Sequence, residues 1–290
     1  MTWFIFALLS ALFLSASTIA EKHALKRLHT IDLSAAVAFV NVILALPFLF
    51  FIDFSKVTLF SLALIFGSAL AAAIAFYLVA KAVRHLQISF AAPLLSLSPG
   101  TSALLGYAIL GEVLGGSDIL GIAAMIVGSY ILTLDPQHDL LYPVRFFFKS
   151  RYVHFILASL LFYSLGAVID RAIVFDFEIP IANYMVFVHL FIALLYLPAI
   201  YLFGGSVRSA LRALSSGGEN IFLVAVFTIS YRFFQMNALS AAFVGVVSAI
   251  KRSSSFFTTL VGGELFHERN LVRKIFASLL IVAGALLIAL

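Results

Sequence analysis

The amino-acid sequence predicts an all-α, polytopic membrane protein of ten transmembrane helices arranged as two inverted five-helix repeats. Three observations predict it. The 290 residues are 63% hydrophobic and only 11% charged, with 31 Phe, whereas a soluble domain is about half apolar and about a quarter charged. Apolar runs of about 20 residues, the helical length that crosses a hydrocarbon core about 30 Å thick, recur ten times. The second half repeats charged, proline and glycine positions of the first at a nearly constant offset. Such a composition excludes an ordinary cytosolic enzyme and a disordered tail, and zero Cys excludes disulfides, thiolate nucleophiles and Cys-based zinc sites.

In chain order the spans read 2–20, 31–52, 57–80, 88–110, 116–134, 152–170, 181–203, 220–239, 241–263 and 271–290. The first follows Met1-Thr2-Trp3-Phe4, which has no basic n-region, and meets Glu21-Lys22 instead of a small-residue cleavage site. It reads as a retained span, not a signal peptide. Runs this long are not amphipathic surface helices, and none has the period-2 alternation of a membrane barrel. The fourth span carries Pro93 and Pro99-Gly100, and proline in a membrane helix frees backbone carbonyls that can line a cavity. The longest connection, 135–151, contains Asp135-Pro136 and Pro143. It separates a first repeat over 1–140 from a second over 150–290.

Four matches carry the repeat. Ser10, Phe13, Ser15 and Glu21-Lys22 stand 149 residues before Ser159, Phe162, Ser164 and Asp170-Arg171. Ala-Leu-Pro at 45–47 matches Tyr-Leu-Pro at 196–198, Gly111-Glu112 matches Gly263-Glu264 at an offset of 152, and Val127-Gly128-Ser129 matches Ala283-Gly284-Ala285. General apolarity explains Leu against Leu but not matched charges and prolines. Five spans is an odd number, so the second half enters the membrane from the other side. This is the inverted-repeat plan of secondary transporters, which places a site near midplane between the halves.

The 18 basic residues give a net charge of +5, and their placement decides what that means. Thirteen fall on odd-numbered loops, Lys22, Lys26, Arg27, Lys81 and Arg84 among them, and two, Lys56 and Arg171, on even-numbered ones. The positive-inside rule puts the odd loops in the cytoplasm and both termini outside. The expected location is the cell membrane, the inner membrane in a Gram-negative cell, and the basic pI reflects topology, not nucleic-acid affinity.

Arg232, Lys251 and Arg252 remain, all near mid-span, where a cation costs at least about 2.5–3.5 kcal/mol. The 13 acids fall at span ends or in loops, with Glu21 and Asp170 nearest the interior, so the core is expected to carry an excess of positive charge that an anionic solute neutralises. Ion pairing inside the bundle is the structural alternative. Ser248, Lys251, Arg252, Ser255 and Thr259 of the ninth span share one helix face, as do Thr228, Tyr231, Arg232 and Gln235 of the eighth. Arg grips two anionic oxygens in a fork and Lys adds a mobile point charge. The candidate substrate-binding residues are Lys251, Arg252, Arg232, Tyr231, Ser248, Ser255 and Gln235. Glu112 and Glu264 read as water-boundary charges more than as a proton-coupling pair, and His85 and His267 as solvent-facing. No Gly-rich phosphate loop or His-Glu-x-x-His occurs, so the reading is non-enzymatic, with no catalytic residue, metal or cofactor.

Two fourth spans ending in Leu-Gly-Glu and Gly-Gly-Glu, with fifth spans carrying Ile-Val-Gly and Val-Ala-Gly before leucine-rich tails, are similar to the EamA domains of the drug/metabolite transporter superfamily. The resemblance covers nearly the whole chain and implies that fold and secondary transport. Members export amino acids, drugs and metabolites or exchange nucleotide sugars and sugar phosphates, so it leaves the substrate open. Ile250-Lys251-Arg252 resembles the Lys-Arg pair of the plastid triose-phosphate translocators, which implies phosphate contact for Lys251 and Arg252, with Tyr231 near that family's substrate-contacting tyrosine. Leu95 stands where that family has a further lysine, and Arg232 is the candidate substitute. The expected function is alternating-access transport of a small organic anion, a carboxylate or phosphorylated compound. The alternatives are an exporter of neutral or cationic amphiphiles, drugs or amino acids and, in another class, a non-transporting membrane scaffold or lipid-handling protein. Expected partners are the solute and the lipid bilayer, without nucleic acid; a homodimer stays open.

Overall fold

A computed structural model describes residues 2–87, 91, 94–95, 97–111, 115–133, 148–268 and 270–287. These residues form helices and turns, with no strand among them. Helix α1 spans Thr2–Ala24 and α2 spans Thr30–Ala45, prolonged by a 3-10 helix over Leu46–Phe51; Pro47, its second residue, has no N–H to continue the α-helical bonding, and its ring crowds the preceding turn. Helix α3, Leu59–His85, opens on a capping box between Thr58 and Ser61. Then come α4, Ser98–Leu105, with a π turn over Gly106–Leu110, and α5, Gly116–Thr133. The second half holds α6, Arg151–Arg171, with a π turn to Asp176, and α7, Ile181–Leu202. Helix α8, Val207–Leu239, has a Ser206–Ser209 capping box and a kink at Gly217. After it come α9, Val244–Lys251, α10, Ser254–Phe257, a π turn over Thr258–Gly262, α11, Gly263–Leu265, and α12, Leu271–Leu287.

Among the described residues six helices are long and apolar enough to cross a membrane: Thr2–Ala24, Thr30–Phe51, Leu59–His85, Arg151–Asp176, Ile181–Leu202 and Gly217–Leu239. They correspond to predicted spans one to three and six to eight. Of the fourth span, residues 88–90, 92–93 and 96 lie outside the described residues, as do 134 and 288–290 at the ends of the fifth and tenth. The ninth is not the single helix predicted: it is interrupted between α9 and α10 and again at its π turn. Several helices also outrun the predicted limits, α1 by four residues and α3 by five, because Glu, Lys and Arg are good helix formers and their long stems can lie along an apolar surface. Large side chains such as Phe50, Leu59, Leu202 and Val272 are exposed on the outside of the bundle, as lipid-facing residues are in a membrane protein.

The helices pack in a regular way. α1 lies along α8 and α3 along α6; α2 packs on α8 and α7 on α3; α4 packs on α6 and α9 on α1. α2 meets α7, α4 meets α9, and α5 meets α12. Interchanging α1 with α6, α2 with α7, α3 with α8, α4 with α9 and α5 with α12 exchanges the first six of these contacts in pairs and leaves each of the last three unchanged. The π turns at Gly106–Leu110 and Thr258–Gly262 stand at the same 152-residue offset as the Gly-Glu pairs. Gly128 and Gly284 lie where α5 and α12 touch: a Cβ at Gly128 would stand 2.6 Å from Ile281, and one at Gly284 2.7 Å from the Gly121 carbonyl. Small residues allow that approach of backbones.

The matched charge doublets take equivalent places. Lys22 donates to the carbonyls of Val83 and Leu86, at 2.5 and 2.8 Å, at the end of α3, and Arg171 donates to the Leu239 carbonyl at the end of α8. Each cation meets the orphan carbonyls and negative dipole end of a neighbouring helix.

Candidate functional site

Between the halves lies a cavity of about 80 Å³. All seven predicted site residues, Tyr231, Arg232, Gln235, Ser248, Lys251, Arg252 and Ser255, line it. Lys251 and Arg252 stand where α9 gives way to α10. Lys251 donates to the Gln235 side-chain oxygen and sits 4.8 Å from the centroid of the Tyr231 ring, a cation–π distance. Arg252 Nε donates to Ser98 Oγ at 2.6 Å. Since Ser98 is the first residue of α4, the interrupted ninth span meets the fourth span's helix start at this bond. Pro99 is the second residue of that helix, where its missing N–H breaks no helical bond; Pro93 lies outside the described residues.

The predicted stripe along the ninth span holds in part. Ser248, Lys251, Arg252 and Ser255 face the cavity, but Thr259 is buried away from it and Thr258 takes its place, donating to Ser15 at 2.9 Å. The tight turn at Arg252-Ser253 and the π turn change the angular step per residue, so a stripe drawn at the α-helical period drifts off the face. Thr101 of α4 meets Ser164 of α6 at 2.6 Å in the counterpart contact, which gives the matched Ser15 and Ser164 one role, joining the first helix of each half to the helices that follow the third of the other half.

The expected lack of acids in the core is corrected. Glu21 and Asp170 are 4% and 3% exposed and both line the cavity, because α1 and α6 continue through them. Asp170 accepts from Ser68 Oγ, Ser68 Oγ lies 3.4 Å from the Tyr184 hydroxyl, and Arg232 donates to that hydroxyl at 2.7 Å. Arg232 is thus tied to an acid through Tyr184 and Ser68. Glu21 Oε1 has no hydrogen-bond partner among the described residues. Three cations and two acids therefore share the cavity. The signal for the acids was present in the sequence: of two charges matched across the repeat, one is used at a helix end and the other is left facing inward.

Elsewhere, His85 is exposed, as expected, and stacks on Tyr152 at 4.3 Å. His267 and Glu264 are exposed. Glu112 lies outside the described residues.

Fold and cavity define an integral membrane protein whose helices enclose a charged internal chamber. Residues 1–134, a little under half of the chain, match the EamA-like transporter family. Over its full length the chain is similar to a protein of known crystal structure, with 18% identity and a TM-score of 0.62 over 98% of this chain and 96% of that one, a likeness of fold alone. No curated protein sequence matches the chain.

Proposed function

We propose that the whole chain is a ten-span secondary transporter of two inverted EamA-type repeats, moving a small organic anion, carboxylate or phosphorylated, by alternating access. The convergence of Lys251, Arg252 and Arg232 on one cavity between the halves carries this reading. Lys251 and Arg252 hydrogen-bond to neutral oxygens, which leaves their charge for a ligand, whereas Arg232 shares Asp170 and contributes less. The interchangeable helix contacts, the π turns at equal offset and the paired capping by Lys22 and Arg171 support the inverted repeat. Lys251→Ala and Arg252→Ala are each expected to abolish flux in proteoliposomes with folded yield retained; near wild-type flux in both overturns the site.

A second reading, export of amines or amino acids, draws on Glu21, a buried carboxylate without a partner among the described residues. Ligand-dependent thermal stabilisation across phosphorylated metabolites, carboxylates and amines separates the two. Stabilisation by amines alone, lost in Glu21→Gln, selects the second.

A further inference from the structure

Beside the main cavity lies a smaller one of about 30 Å³. Phe76, Tyr163, Tyr231 and Arg232 line both, so a single layer of side chains separates them. The smaller cavity is also lined by α2 and α7, which place Asn41 and His189 there. These two side chains are 4% and 1% exposed, and Asn41 Oδ1 and His189 Nε2 have no hydrogen-bond partner among the described residues.

Buried polar atoms are nearly always paired, and leaving one unpaired is costly. Three such atoms, these two and Ser34 Oγ of α2, line one small cavity on helices from opposite halves and mark a place that something else completes. The volume admits one or two atoms of water size. Asn41 Oδ1 can only accept, so its partner must donate, while His189 Nε2 accepts or donates according to tautomer. Arg232 in the wall opposes a second cation, and neither Asn41 nor neutral His189 supplies charge for an anion. A hydroxyl or a primary amide satisfies these conditions.

We propose that this pocket is a subsite for a hydroxyl or primary amide group of the same molecule whose anionic end Lys251 and Arg252 hold. The inference rests on the anionic reading of the main cavity, and it narrows the substrate from any small anion to one with an uncharged hydrogen-bonding group. Tyr163 and Phe76 act as the partition that the ligand displaces, and Tyr231 touches both parts of the ligand.

The test measures dissociation constants of the purified full-length protein, by thermal shift, for two matched pairs: propyl phosphate against glycerol 3-phosphate, and butanoate against 3,4-dihydroxybutanoate. In the unmodified protein the hydroxylated member is expected to bind at least about fivefold tighter, the scale of one net hydrogen bond. That ratio is expected to fall to about one in Asn41→Leu and in His189→Leu, and to persist in Asn41→Ser and His189→Gln, which keep a polar atom. Using a ratio removes any general loss of affinity, and the polar variants guard against apolar ones that fail to fold. Binding of both members of a pair without preference, or a preference that survives both leucine substitutions, overturns the subsite alone. Binding of neither pair overturns the anionic reading and the subsite with it.

Discussion

Asp170 and Arg232 hold each other in place through Tyr184 and Ser68, four buried side chains from α3, α6, α7 and α8. Removing the acid leaves a guanidinium in a low-dielectric interior, a loss of about 3–5 kcal/mol for a buried pair broken on one side. Asp170→Asn is therefore expected to lower the thermal midpoint of the purified protein markedly, and Arg232→Met in the same chain to restore much of it. Strictly additive losses in that double-mutant cycle sink the coupling. The three cations were legible in the sequence because a charge inside an apolar run stands out. The two acids were less so, for a reason visible at Glu21: composition places it at a span end, but helix α1 runs on to Ala24 and turns the carboxylate inward while Lys22 reaches the end of α3. Asn41 and His189 gave no signal, since a lone neutral polar residue in a membrane helix is ordinary until the fold shows that its polar atom meets no protein partner.

At the scale of the elements, apolar length found the long helices and missed where they break. The interruption at Arg252-Ser253 follows no proline or glycine; it coincides with two charges whose partners, Gln235 and Ser98, lie on other helices, and with Ser253-Ser254-Ser255, a residue type that favours turns and caps, so tertiary contact and local propensity act together. Gly284 was legible as half of a match between the halves, and the fold gives the reason, a backbone crossing with no room for a side chain. Gly284→Val is expected to force α5 and α12 apart, lowering stability by about 1–3 kcal/mol and the thermal midpoint with it. Gly116, around which a Cβ would meet nothing within 4 Å, supplies the contrast: Gly116→Ala is expected to leave the midpoint unchanged. Equal effects of the two substitutions dismiss the crossing as the cause.

At the scale of the whole molecule, the interchange of contacts between halves is what alternating access needs, since two equivalent arrangements of one frame can open in turn to either side. The halves are tied at both ends. Asn183 exchanges two hydrogen bonds with the Asp53 backbone, at 2.8 and 3.0 Å, in the loop between α2 and α3. On the other side of α3, Lys274 joins Gln87 and, at 3.4 Å, Glu268. On the positive-inside assignment the Asn183 tie faces outward and the Lys274 tie faces the cytoplasm. The sequence has no Cys, so a single introduced thiol reports without background. Ser55→Cys, in the Asp53 loop, is expected to react with a membrane-impermeant maleimide from outside intact cells and Ser215→Cys only after permeabilisation; the reverse pattern inverts the orientation. With Ser248→Cys as the probe inside the cavity, adding Asn183→Ala is expected to raise labelling from the outer side and adding Lys274→Ala from the cytoplasmic side. Labelling that rises from the same side in both, or in neither, is incompatible with ties that open alternately.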